Sequence, residues 1–123
     1  MALILIVDDE YFIREVAVST VEELGYDVLS ACDVDEAMAY LRSNQKIDAL
    51  ITDIRLKSAL HGGYEIAQDA IKIRPSLRVL YMTGSPLTDK MRDLFVEGAH
   101  FLQKPYSPDH LRNSLEKLFA AQV

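Results

Sequence analysis

Asp53 ends the run Ile47-Asp48-Ala49-Leu50-Ile51-Thr52-Asp53, an apolar stretch that stops on a carboxylate. The first apolar run, Leu3 to Val7, stops in the same way on Asp8, Asp9 and Glu10. Thr83 and Gly84 close a later run, and Lys104 follows the last one. If Asp8, Asp9 and Asp53 meet, their charges repel, and such a cluster persists only with protons or a cation among them. The set holds no His or Cys, and hard oxygen ligands favour Mg²⁺. The expected ligands are Asp9 and Asp53 directly, Asp8 directly or through water, and a backbone carbonyl at Arg55. An ionised Asp beside Mg²⁺ and an ammonium can attack phosphorus and form an aspartyl phosphate. That chemistry is mostly positioning and charge neutralisation. Lys104 would supply the ammonium. The Thr83 hydroxyl and the N–H of Gly84 or Ile54 would hold phosphoryl oxygens, and Pro105 would fix Lys104 through a cis bond.

These groups need rigid elements to bring them together. Residues 3–7, 27–31, 47–53, 77–82 and 99–102 read as strands, the apolar ones as strands buried on both faces. Residues 11–24 carry Ile13, Val16, Ala17, Thr20, Val21 and Leu24 at helical spacing, closed by Gly25. Asp33 and Glu36 form a capping box before Val34, Ala37, Met38 and Leu41. After a loop over 54–63, Ile66, Ala67, Ala70 and Ile71 mark a third helix, stopped by Pro75. A fourth runs from Pro86 through Leu87, Met91 and Leu94 to Gly98, and Ser107 caps a fifth with Pro108 at its first position. Its Leu111, Leu115, Leu118 and Phe119 face inward.

Five alternations of strand and helix predict a doubly wound α/β fold, a five-stranded parallel sheet of order 2-1-3-4-5 with helices on both faces. The winding then reverses between the first and third strands, where ligand sites form outside the carboxyl ends. Asp8, Asp9, Asp53, Thr83 and Lys104 all fall on that edge.

The chain has 123 residues, half of them hydrophobic, which predicts one domain over 1–123 with no room for a second. A net charge of −6 argues against a direct nucleic-acid binder. No apolar stretch approaches the roughly 20 residues of a membrane span. Cys32 is the single cysteine, so no intrachain disulfide forms. With no signal peptide in its first residues, the chain is expected to be cytoplasmic.

The runs Ile6-Val7-Asp8-Asp9-Glu10, Thr52-Asp53-Ile54-Arg55-Leu56, Tyr81-Met82-Thr83-Gly84 and Phe101-Leu102-Gln103-Lys104-Pro105-Tyr106 resemble the receiver domain of two-component response regulators, in order and spacing along the whole chain. The chain is similar in particular to stand-alone receivers of this flavodoxin-like fold, without an output domain. The resemblance implies that Asp53 accepts a phosphoryl group from a sensor histidine kinase or phosphotransfer protein. It implies Mg²⁺ on Asp8 and Asp9, Lys104 on the phosphoryl group and Thr83 swinging to bond it. Phe101 would then turn inward and reshape the face of the last two helices and the fifth strand for a downstream effector, as a monomer or a phosphorylation-dependent homodimer. The loop after Asp53 departs from the family pattern. Lys57 stands where Pro is usual, His61-Gly62-Gly63 where Asp-Gly is usual, and the loop is about two residues longer, which predicts a mobile loop. Arg55 and Ser85 are expected to set the lifetime of the aspartyl phosphate.

Three other readings share the residues. A Mg²⁺-dependent phosphohydrolase would use the same aspartyl phosphate, but it would want an acid where Arg55 stands. A nucleotide or flavin binder would want a Gly-rich turn where Asp8-Asp9-Glu10-Tyr11 stands. A degenerate receiver would bind partners without phosphate, yet here every acid and the Lys is present.

Overall fold

The computed structural model of the chain describes residues 2–56 and 62–120. The elements alternate as β1 (Leu3–Val7), α1 (Tyr11–Glu23), β2 (Asp27–Ala31), α2 (Val34–Leu41), β3 (Ala49–Asp53), α3 (Gly62–Ile73), β4 (Arg78–Thr83), α4 (Asp89–Asp93), β5 (His100–Gln103) and α5 (Pro108–Ala120). The strands form one parallel sheet of order β2-β1-β3-β4-β5. This is the doubly wound topology expected from the alternation, with strand ends within a residue or two of expectation.

Strand alternation divides the core in two. Leu5, Val7, Leu50, Val79 and Tyr81 pack with Ala37, Leu41, Ile66 and Ala70 of α2 and α3. Ile4, Ile6, Ile51, Leu80 and Met82 pack on the other face with Ala17, Val21, Leu111 and Leu115 of α1 and α5. Both faces are covered, which is why the central strands carry apolar residues toward both.

The local signals act as their chemistry requires. Gly25 takes φ 98° beyond the end of α1. Asp33 Oδ1 accepts from Glu36 N–H at 2.8 Å, and Glu36 reaches back to Cys32 N–H at 2.7 Å. Ser107 Oγ accepts from His110 N–H at 3.1 Å, capping α5.

Three expectations are corrected. In α1 only Ala17 and Val21 are buried, while Ile13 and Val16 are 38% and 65% exposed. The helix begins at the carboxyl edge of the sheet, so its first turns have no strand to pack against. The fourth helix does not run from Pro86 to Gly98. Thr88 caps it, its Oγ1 accepting from Met91 N–H at 3.2 Å, and it spans only Asp89–Asp93. Finally, Gly62 and Gly63 are not loop residues but the buried start of α3. The substitutions noted at Lys57 and His61, and the extra loop length, lie outside the described residues.

Candidate phosphoacceptor site

Asp8 follows the last residue of β1, Asp53 is the last of β3 and Thr83 the last of β4. Neighbouring parallel strands in register bring their carboxyl ends together. The carboxylates of Asp8, Asp9 and Asp53 offer oxygens that all lie within 4.8 Å of one another. Lys104 reaches in from beyond β5. Its Nζ donates to Asp8 Oδ2 at 2.9 Å and to Asp53 Oδ2 at 3.0 Å. Its backbone N–H donates to the Thr83 carbonyl at 2.8 Å, and the Lys104–Pro105 peptide is cis as expected.

Each acid sits in a different setting. Asp8 is fully buried, and its other oxygen accepts from Glu10 N–H at 2.9 Å. Asp9 and Asp53 are partly buried. Burial pushes the Asp53 carboxyl up to about 6; the Lys104 ammonium opposes this and the Asp8 charge adds to it. For Lys104, burial favours the neutral amine, but the hydrogen bond to Asp8 and the charge of Asp53 outweigh it, so its pKa is raised. The pocket therefore sets three carboxylates against one ammonium, with the Asp53 carboxyl held at about 6. Three carboxylates with one ammonium suit a hard divalent cation, the donor set that Mg²⁺ takes.

A cavity of about 580 Å³ opens over these groups, lined among others by Asp9, Asp53, Arg55, Thr83, Ser85 and Lys104. Thr83 is buried, and its Oγ1 accepts from Ser85 N–H at 3.2 Å. Phe101 does not line the cavity; it is half-buried and stacks on Phe95, ring centroids 6.2 Å apart. One oxyanion donor expected from the sequence is corrected. Ile54 N–H donates to the Met82 carbonyl at 2.9 Å and is taken up in the sheet.

Two contributors escaped the sequence reading. Arg14 Nη1 donates to the Asp8 carbonyl at 2.9 Å, one helical turn beyond the acids, where its spacing was a usable signal. Gly63 N–H donates to the Ile54 carbonyl at 3.0 Å, docking the start of α3 on the backbone just after Asp53. The second of two adjacent glycines gave no hint of which backbone it would meet.

Residues 4–116 match the profile of the response regulator receiver domain. The chain belongs to that family. Receiver domains are signalling domains of two-component systems, not enzymes in the ordinary sense. The chain is similar to the response regulator receiver protein CpdR of Brucella abortus, 31% identical over 98% of this chain and 99% of that one. It is also similar to the probable transcriptional regulator ycf27 of Cyanidium caldarium, 28% identical over 94% of this chain but 45% of that protein. The chain thus spans about half the length of relatives of that kind. Among solved structures, a response regulator receiver protein from Sinorhizobium medicae superposes with a TM-score of 0.89 at 26% identity, over 99% of this chain and 97% of that one. Among the described residues no helix is long and apolar enough to cross a membrane.

Proposed function

We propose that this receiver is the phosphoacceptor of a two-component phosphorelay, taking a phosphoryl group on Asp53 from a phosphohistidine donor. The observation that carries the reading is the shared ammonium: Lys104 Nζ lies within hydrogen-bond distance of both Asp8 and Asp53 beneath one open cavity. Bound Mg²⁺ would neutralise charge on the phosphoryl oxygens. Asp8, Asp9, Asp53 and the Arg55 carbonyl would hold it.

Lys104 engages Asp53 Oδ2, so Oδ1 attacks phosphorus. The P–N bond to the donor imidazole breaks as the Asp53 O–P bond forms, and the imidazole keeps the electron pair and gains a proton. Lys104 and the Thr83 hydroxyl then hold phosphoryl oxygens, and Thr83 exchanges its bond from Ser85 N–H for that contact. Phe101, on the strand beside β4, answers by repacking, and the face of α4, β5 and α5 changes for an effector protein. The match to the Brucella receiver protein supports the receiver reading.

The test is mass measurement of the intact protein after incubation with acetyl phosphate and Mg²⁺. One added phosphoryl group, absent in Asp53→Asn and without Mg²⁺, is expected. Steady release of phosphate with no adduct would overturn the reading in favour of a hydrolase. Arg55 and Ser85 line the entrance and control the attacking water. Arg55→Ala is expected to change the adduct's half-life severalfold, and an unchanged half-life removes Arg55 from that role.

A further inference from the structure

The clustered acids are not placed by the same means. Asp53 belongs to β3, and Asp8 carries the sheet one bond further, its N–H donating to the Ala31 carbonyl at 3.2 Å. Asp9 belongs to neither a strand nor a helix. It sits in the turn that joins β1 to α1, so the backbone of that turn sets where its carboxylate points.

Both peptides that flank Asp9 are held. On one side, Glu10 N–H donates to Asp8 Oδ1 at 2.9 Å. On the other, the Asp8 carbonyl accepts from Arg14 Nη1, also at 2.9 Å. Arg14 grips the turn again through its own backbone N–H, which donates to the Glu10 carbonyl at 2.8 Å. Asp9 thus lies between two carbonyls that are both bound by one residue of α1. Glu10, at the N-cap, adds no side-chain bond to the helix start. The Arg14 guanidinium is itself braced, its Cζ 5.5 Å from the centroid of the Tyr11 ring.

We propose that Arg14 is a positioning residue for the divalent cation. By tethering the Asp8 carbonyl to the first turn of α1, it fixes the Asp8–Asp9 peptide and keeps the Asp9 carboxylate within reach of the oxygens of Asp8 and Asp53. The guanidinium does this without touching the ion. The inference rests on reading those three acids as a Mg²⁺ site.

Charge and position predict opposite signs. On charge alone, a cation beside the site repels Mg²⁺, and removing it tightens binding. As a tether, its removal loosens a ligand and weakens binding. Arg14→Met keeps the apolar stem and removes both the charge and the donors. Mg²⁺ alone is titrated into the wild type and the variant, with backbone amide resonances as the readout and no phosphoryl donor present. The dissociation constant is expected to rise about tenfold, the usual cost of losing a group that orients a metal ligand. A fall overturns the proposal and leaves Arg14 a mere charge. A lower urea midpoint with an unchanged dissociation constant also overturns it, and leaves Arg14 a support of α1. A wild type that takes no Mg²⁺ overturns the metal site and this inference together, whereas an unchanged constant in the variant strikes Arg14 alone. One measurement decides even if the variant does not fold. In the cooled wild type, a guanidinium held by a carbonyl gives separate resonances for its two Nη groups, and a single averaged resonance overturns the tether.

Discussion

Gly63 lies so close to the backbone of Asp53 and Ile54 that one methyl group would collide with it. A Cβ there would fall 2.7 Å from Ile54 Cα and against the Asp53 carbonyl, which only a backbone shift relieves. Gly63→Ala is expected to destabilise the fold by about 2 kcal/mol and to slow phosphorylation by acetyl phosphate. For stability Gly84→Ala is the control, because a Cβ there meets nothing within 4 Å. Denaturant midpoints measured on both separate close approach from a general dislike of losing glycine, and adduct formation is followed on Gly63→Ala. The two residues look alike in the sequence. Asp53, Asp8 and Lys104 were legible because carboxylates and a lysine at strand ends converge by topology alone. Gly63 was not, because its meaning is a contact with a backbone far along the fold.

Among the elements, α1 departs most from what its spacing implies. Helical periodicity shows that Ile13, Val16, Ala17 and Val21 share a face, but not that the first turns overhang the sheet. There Phe12, 80% exposed, and Ile13 and Val16 line a second cavity of about 580 Å³ with Gly84, Lys104, Pro105 and Tyr106. This apolar wall adjoins the acceptor pocket, and Ile13, Gly84 and Lys104 line both cavities. On the proposed function a protein donor would cover this wall to reach Asp53, whereas acetyl phosphate would not. Phe12→Ala is therefore expected to slow transfer from a phosphorylated histidine kinase by about tenfold. Its reaction with acetyl phosphate stays unchanged, and its stability stays within about 0.5 kcal/mol. Equal losses with both donors would place Phe12 in the fold, not in recognition. The short α4 is the other element the sequence misstated: Thr88, not Pro86, caps it, and Leu94 N–H already takes the Met91 carbonyl three residues back.

At the scale of the whole molecule, Asp53 weakens the fold that carries it. Asp53 ionises near pH 4 in an unfolded chain but at about 6 in the folded one. Between those values the folded state binds more protons, so stability falls as pH rises through about 6. Asp53→Asn removes this cost. Its stability is expected to exceed that of the wild type at pH 8, by up to about 3 kcal/mol, and to match it below pH 4. Urea unfolding at the two pH values checks the sign. Mg²⁺ should close most of that gap by stabilising the wild type, about 2.7 kcal/mol at one hundred times its dissociation constant, and the Asn variant much less. The global architecture was the most legible level, since five strand–helix alternations and one switch point leave few topologies.

The grip of Lys104 on two aspartates makes it a rival of any incoming metal. An ammonium already resting on Asp8 and Asp53 must yield ground before a cation can use those oxygens. Weakly charged ions such as K⁺ would lose that contest, and a divalent ion would win it. Trimming the side chain to Met should let Mg²⁺ bind more tightly while phosphorylation fails, so occupancy and reactivity would part company at a single position.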